Sequence, residues 1–202
     1  LAALIAAVER GELRARIALV ISSKPDVWAL EIAVESGITT QVIAPKQFAS
    51  RAEEGHAIVA ALQAAEVDLV ITAGYARIFD PCVIEAYRLR IINIHPSLLP
   101  AFPGMAPGPQ AEALAYGVKI AGCTTHFITV DTDAGPIIDQ TTVPVLDGDT
   151  VETLSARILE QEHRLLPASV AAVLAGEIRV MGRRTVRMAP STTQGDANSA
   201  RD

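Results

Sequence analysis

Apolar and polar positions follow two periods along this chain. Short apolar runs rich in β-branched residues occur at 16–23 (RIALVISS), 40–44 (TQVIA), 67–73 (VDLVITA) and Ile91–His95 (IINIH), and they read as buried strands. Helical periodicity fills the intervals. It runs over 1–8 with Gly11 as a stop, over 26–36 ending at Gly37, over 50–65 and over 80–87. Ser50, with Glu53 three residues on, fits a capping box, and Asp80-Pro81 suits a cap followed by a first-turn proline. Beyond a Pro- and Gly-rich loop at 100–109, the pattern predicts a helix at 110–116 and strands at 122–130 and 137–145. A long helix follows at 151–176, interrupted at Pro167, and then a last strand at 178–186. Strands alternating with helices predict an α/β fold: a Rossmann-like open, mostly parallel sheet with helices on both faces. Residues 189–202 are small and polar and read as a disordered tail.

Composition narrows the class. Half of the 202 residues are apolar, enough for one good core, so residues 1–188 read as a single domain. The net charge of −6, without a basic run, argues against a nucleic-acid partner. Cys82 and Cys123 make neither metal-type nor redox-type spacing, and reduced thiols in a cytoplasmic protein are the simplest account. No apolar run approaches the roughly 20 residues of a membrane span, and no leader pattern precedes the first helix.

The candidate chemistry lies where the fourth strand ends. Asn93 and His95 are two apart, so on a strand they share a face. The carboxyl end of a strand in an open α/β sheet is where ligands sit. An amide and an imidazole there suit an oxyanion and a proton transfer, or form a satisfied polar pair at a strand end; spacing leaves both readings open. Asp133, in Val130-Asp131-Thr132-Asp133-Ala134-Gly135-Pro136, is by itself a turn former. Its place after another strand makes a carboxylate–imidazole pairing feasible, which would fix the histidine's tautomer.

The segment Asn93-Ile94-His95-Pro96-Ser97-Leu98-Leu99-Pro100 resembles the hallmark of the formyltetrahydrofolate-dependent formyltransferases. The similarity continues through Ala73-Gly74-Tyr75-Ala76-Arg77-Ile78, Phe102-Pro103-Gly104, residues 122–127 and 133–137, and Gln161-Glu162-His163. It implies the formyltransferase fold and a reaction in which a primary amine attacks the formyl carbon of 10-formyltetrahydrofolate. In the purine-pathway branch that amine belongs to glycinamide ribonucleotide. By the resemblance, Asn93, His95 and Asp133 are the catalytic trio. Asn93 and protonated His95 would donate to the oxyanion, each such donor being worth roughly 3–4 kcal/mol of barrier. Asp133 would assist the proton's departure. The resemblance assigns the folate to Arg51, Ala76, Arg77, Ile78, Phe79, Asn93, Thr129, Val130, Asp131, Thr132 and Asp133. It assigns the second substrate to Gly74, Pro96 and Glu162. Thr124 stands where relatives often carry Ser. His126 matches a second family histidine, for which a structural, hydrogen-bonded role is the better expectation. No metal is implied, and the partners expected are small molecules alone, to a monomer or homodimer.

Two departures stand out. Relatives begin with a strand and a phosphate-cradling glycine loop that have no counterpart here, so the expectation is a fragment of a longer product. An absent central strand leaves a row of unpaired backbone groups. The 105–112 loop (MAPGPQAE) also lacks a histidine common in relatives and is reminiscent of methionyl-tRNA formyltransferases. That reading wants a second domain and a basic surface. A formyltetrahydrofolate hydrolase is the stronger alternative, although its strand motif tends to read His-His-Ser in place of His95-Pro96-Ser97. A non-catalytic folate-binding domain is the third.

Overall fold

The computed structural model describes residues 1–75, 77–105 and 108–188. In chain order these form α1 (Ala2–Glu9), β1 (Val20–Ser22), α2 (Trp28–Glu35), β2 (Thr40–Val42), α3 (Arg51–Ala64), β3 (Val70–Thr72), α4 (Pro81–Ala86) and β4 (Ile91–His95). They continue as α5 (Pro109–Tyr116), β5 (Ile120–Phe127), β6 (Ile137–Pro144), α6 (Val151–Leu174), β7 (Ile178–Met181) and β8 (Arg184–Arg187). The predicted caps form. Ser50 Oγ accepts from the Glu53 amide at 3.2 Å, while Glu53 Oε2 reaches back to the Ala49 amide at 3.0 Å. Asp80 Oδ1 accepts from the Cys82 amide at 3.0 Å. These bonds satisfy amides that a helix start leaves without partners.

The sheet is mixed. β1 and β2 pair in parallel as one two-stranded piece, while β3, β4, β5 and β6 form a second piece in that order. Only β3–β4 is parallel within it; β4–β5 and β5–β6 are antiparallel. Periodicity predicts element type but not strand direction, and the helix-free connection 128–136 is too short for a parallel crossover. Among the described residues no ladder joins the two pieces. Pro167 does not interrupt α6 as expected. Its ring forfeits one helical hydrogen bond, but buried Leu154, Ile158, Leu166 and Val170 hold both halves of the helix on the sheet. The predicted last strand is a hairpin turning at Gly182, whose φ of +64° suits glycine. The disordered-tail reading of 189–202 lies outside the described residues.

Alternation along β4 sorts its side chains between two layers. Ile92 packs with Leu4, Ala7, Phe127, Leu166 and Val170 beneath α1 and α6. Ile91 packs with Ile58, Leu62, Val83 and Tyr87 beneath α3 and α4. Both isoleucines are fully buried, and burying a side chain of this size stabilises by about 1.5–3 kcal/mol. Asn93 and His95 therefore project on the Ile91 side, away from α6. A third cluster of Ala121, Cys123, Val143, Leu154, Ile158 and Leu165 closes the α6 side. No described helix is long and apolar enough to cross a membrane.

Candidate functional site

Strand register builds two polar rows on the face that carries Asn93 and His95. Thr72 of β3 pairs with Asn93 of β4, which pairs with His126 of β5. One step toward the strand end, His95 pairs with Thr124, which pairs with Gln140 of β6. Side chains in register on neighbouring strands lie within contact distance.

In the first row Thr72 Oγ1 donates to Asn93 Oδ1 at 2.7 Å, and Asn93 Nδ2 lies 3.1 Å from His126 Nε2. His126 Nδ1 is 3.1 Å from the Phe127 carbonyl, which can only accept, so Nδ1 carries the proton. Nε2 then holds a lone pair and accepts from the Asn93 amide. Burial pushes the His126 pKa down, against the Phe127 carbonyl and the Asp133 charge, which favour the protonated ring. The nearby His95 lowers it further. A neutral His126 is thus what the fold selects.

The second row holds a loop in place. Thr124 Oγ1 donates to the Ser97 carbonyl at 2.7 Å and accepts from the Leu99 amide at 3.0 Å and from Gln140 Nε2 at 2.9 Å. Ser97 in turn donates to the Ala101 carbonyl at 2.6 Å. These bonds fix the segment that brings Phe102 over His95. The Phe102 carbonyl accepts from His95 Nε2 at 2.9 Å. With Nε2 occupied, Nδ1 is the ring atom left for chemistry, and it lies 3.6 Å from Asp133 Oδ2.

Asp133 is delivered by the 128–136 connection. This segment folds back on β5, the Phe127 amide donating to the Pro136 carbonyl at 2.9 Å. Position 135 must be glycine, because a Cβ there would collide with the Phe127 carbonyl. Asp133 Oδ2 accepts from the Gly104 amide at 2.8 Å, and Oδ1 lies 3.7 Å from His126 Nε2. The Asp133 contacts to both rings are longer than hydrogen bonds. Asp133 and Phe102 have φ of +50° and +52°, a left-handed conformation that non-glycine residues adopt at a cost. Of these two strained residues, Phe102 is hydrogen-bonded to one ring nitrogen of His95 and Asp133 lies beside the other.

The structure thus gathers Asn93, His95 and Asp133 around His126, with Pro96 next in the chain. The other candidates are elsewhere or differently engaged. Arg77 pairs with Glu54 at 2.8 Å, the Glu54 side chain being buried. Arg51 donates to the Phe79 carbonyl at 2.7 Å, and Phe79 is buried, its ring stacked on Tyr75 at 4.8 Å. Ile78 and Val130 are exposed, as are Gly74, Asp131 and Thr132. Thr129 Oγ1 donates to the Asp131 carbonyl at 3.2 Å. Glu162 is half-buried on α6 near Cys123, so it approaches the sheet from the layer opposite Asn93 and His95. Burial raises its pKa, and burial with the Glu162 charge pushes the Cys123 thiol up to about 12. Ala76, and Ala106 and Pro107 of the unusual loop, lie outside the described residues. Sequence reasoning missed Thr72 and the Phe102 carbonyl; a polar residue near the carboxyl end of the run 67–73, two before Gly74, was the available signal for Thr72.

Comparison with known proteins identifies the family. The formyl transferase family model matches residues 1–170. The chain is 43% identical over 185 residues to a phosphoribosylglycinamide formyltransferase of Mycobacterium tuberculosis, covering 92% of this chain and 84% of that protein. It is 43% identical over 180 residues to the trifunctional purine biosynthetic protein adenosine-3 of Gallus gallus, covering 89% of this chain but only 18% of that longer protein. The crystal structure of glycinamide ribonucleotide transformylase 1 from Symbiobacterium toebii superposes with a TM-score of 0.90 at 44% identity, covering 93% of this chain and 87% of that one. With its fold and most of its length matched, the chain belongs to the formyl transferase family.

Proposed function

We propose that this chain transfers the formyl group of 10-formyltetrahydrofolate to the amine of glycinamide ribonucleotide. One observation carries the reading: an amide donor and an imidazole of β4 meet a carboxylate of the 128–136 connection at the carboxyl end of that strand, with His95 Nδ1 lying 3.6 Å from Asp133. The relatives named above supply the substrate class.

In this reading the amine nitrogen attacks the formyl carbon, and the carbonyl oxygen becomes an oxyanion. The Asn93 N–H not given to His126 donates to that oxyanion, a donor of this type being worth roughly 3–4 kcal/mol. His95 Nδ1 takes the proton released by the amine and, once protonated, donates to the oxyanion alongside Asn93, with Asp133 balancing the imidazolium. The oxyanion then collapses to the carbonyl as the carbon–nitrogen bond to the folate breaks, and the leaving folate nitrogen takes the proton back from His95. The folate lies along Arg51, Arg77, Ile78, Phe79 and residues 129–133. The ribonucleotide lies beside Gly74 and Pro96 at the strand end, and the resemblance that assigns it Glu162 requires it to reach past that end to the α6 layer.

The test supplies purified protein with 10-formyltetrahydrofolate, with and without glycinamide ribonucleotide. Formylated ribonucleotide forming only when the amine is present is the expected result. Formate released with water alone refutes transfer in favour of hydrolysis, and no consumption of the folate at all refutes both.

A further inference from the structure

The Thr72 hydroxyl lies outside the expected trio, yet it is bonded directly to it. Thr72 is 4% exposed, and its hydroxyl donates to Asn93 Oδ1 at 2.7 Å. Its other acceptor, the Ile92 carbonyl, is at 3.3 Å. A hydroxyl has one proton to give, and the shorter contact takes it.

A side-chain amide can sit either way round, and the partners of Asn93 distinguish the two orientations. His126 presents a lone pair at Nε2, so only the NH₂ end of Asn93 fits against it. The carbonyl end is thereby turned to β3, where Thr72 meets it with a donor. His126 excludes the flipped amide; Thr72 holds the permitted one in place. The bond also draws electron density through the amide toward oxygen, strengthening the remaining N–H as a donor. Among the described residues that second N–H has no protein partner. It is the group left to meet a developing negative charge.

We propose that Thr72 is a positioning residue for formyl transfer, acting through Asn93 without touching either substrate. The inference rests on the transfer reading above, and its test separates the two. Kinetics of Thr72→Val, which keeps the side chain's shape but loses the hydroxyl, are compared with Thr72→Ser, which keeps the hydroxyl. Valine is expected to lower kcat by about threefold to tenfold, with KM for both substrates within about twofold, and serine to remain within about twofold of the native enzyme. Should valine not fold, Thr72→Ala provides the same contrast.

A second readout needs no turnover. The Asn93 side-chain amide resonances move in Thr72→Val and return in Thr72→Ser, while the His126 ring nitrogens keep their neutral, Nδ1-protonated pattern in both. Unchanged kcat in Thr72→Val, a loss confined to KM, or serine as slow as valine overturns the proposal. Native protein without transfer activity sinks the transfer reading instead, and unmoved Asn93 resonances sink the Thr72 bond independently.

Discussion

Replacing His126 with glutamine keeps an acceptor in reach of Asn93 but removes a ring that titrates, and the difference is measurable as a pH slope of stability. Burial lowers the His126 pKa in the native state. The unfolded chain returns it to about 6.5. Above that pH neither state binds the proton, so the contribution to stability is fully present. As pH falls through about 6.5 the unfolded state is protonated first, and stability is lost until the native ring also titrates. If the native ring stays neutral throughout, the loss between pH 7.5 and 5.5 reaches about 1.4 kcal/mol. Urea unfolding at pH 7.5, 6.5 and 5.5 measures it. The native protein is expected to lose about 1 kcal/mol more than His126→Gln over that interval, the other histidines being common to both. Parallel pH profiles refute the neutral, buried His126 and with it the assignment of Asn93 as its donor.

Three further outcomes follow from named contacts. Thr124→Val removes a hydroxyl bonded to Ser97, Leu99 and Gln140 and strands the Leu99 amide; denaturant melts are expected to show a loss of about 1–3 kcal/mol. Gly135→Ala forces a Cβ against the Phe127 carbonyl, so a loss of about 1–3 kcal/mol and a fall in kcat from displaced Asp133 are expected together; normal kcat means the loop relaxes without moving the carboxylate. Glu162→Gln relieves a charge that burial disfavours, so melting temperature holds or rises. KM for glycinamide ribonucleotide rises in the same variant if Glu162 meets that substrate, and an unchanged KM removes it from the site.

Element types were legible because their signals are local. The capping residues Ser50 and Asp80 and the apolar run of β4 each act within a turn or a strand of their own position. Pro167 misled for the same reason: its local effect is to break a helix, but packing along α6 outweighs one lost hydrogen bond. The direction of β5 was not legible, since antiparallel and parallel strands share one alternation of side chains. His126 was read as a structural, hydrogen-bonded side chain, and it is one, bonded to Asn93.

The sequence by itself determined which residues could do chemistry: an Asn and a His two apart on a strand, and an Asp before Gly-Pro in a family-specific order. Only the tertiary structure decided how they are held. Register across β3, β4 and β5 placed Thr72 and His126 on either side of Asn93, and a loop clamped by Thr124 set a carbonyl on one nitrogen of His95. The bonds of Asn93 join residues 21 and 33 positions apart, and the seven-residue link from His95 to Phe102 is held by Thr124, 27 positions from Ser97. Hydrogen-bond direction and proton location depend on distances that exist only once the strands pair, so no pattern along the chain encodes them singly.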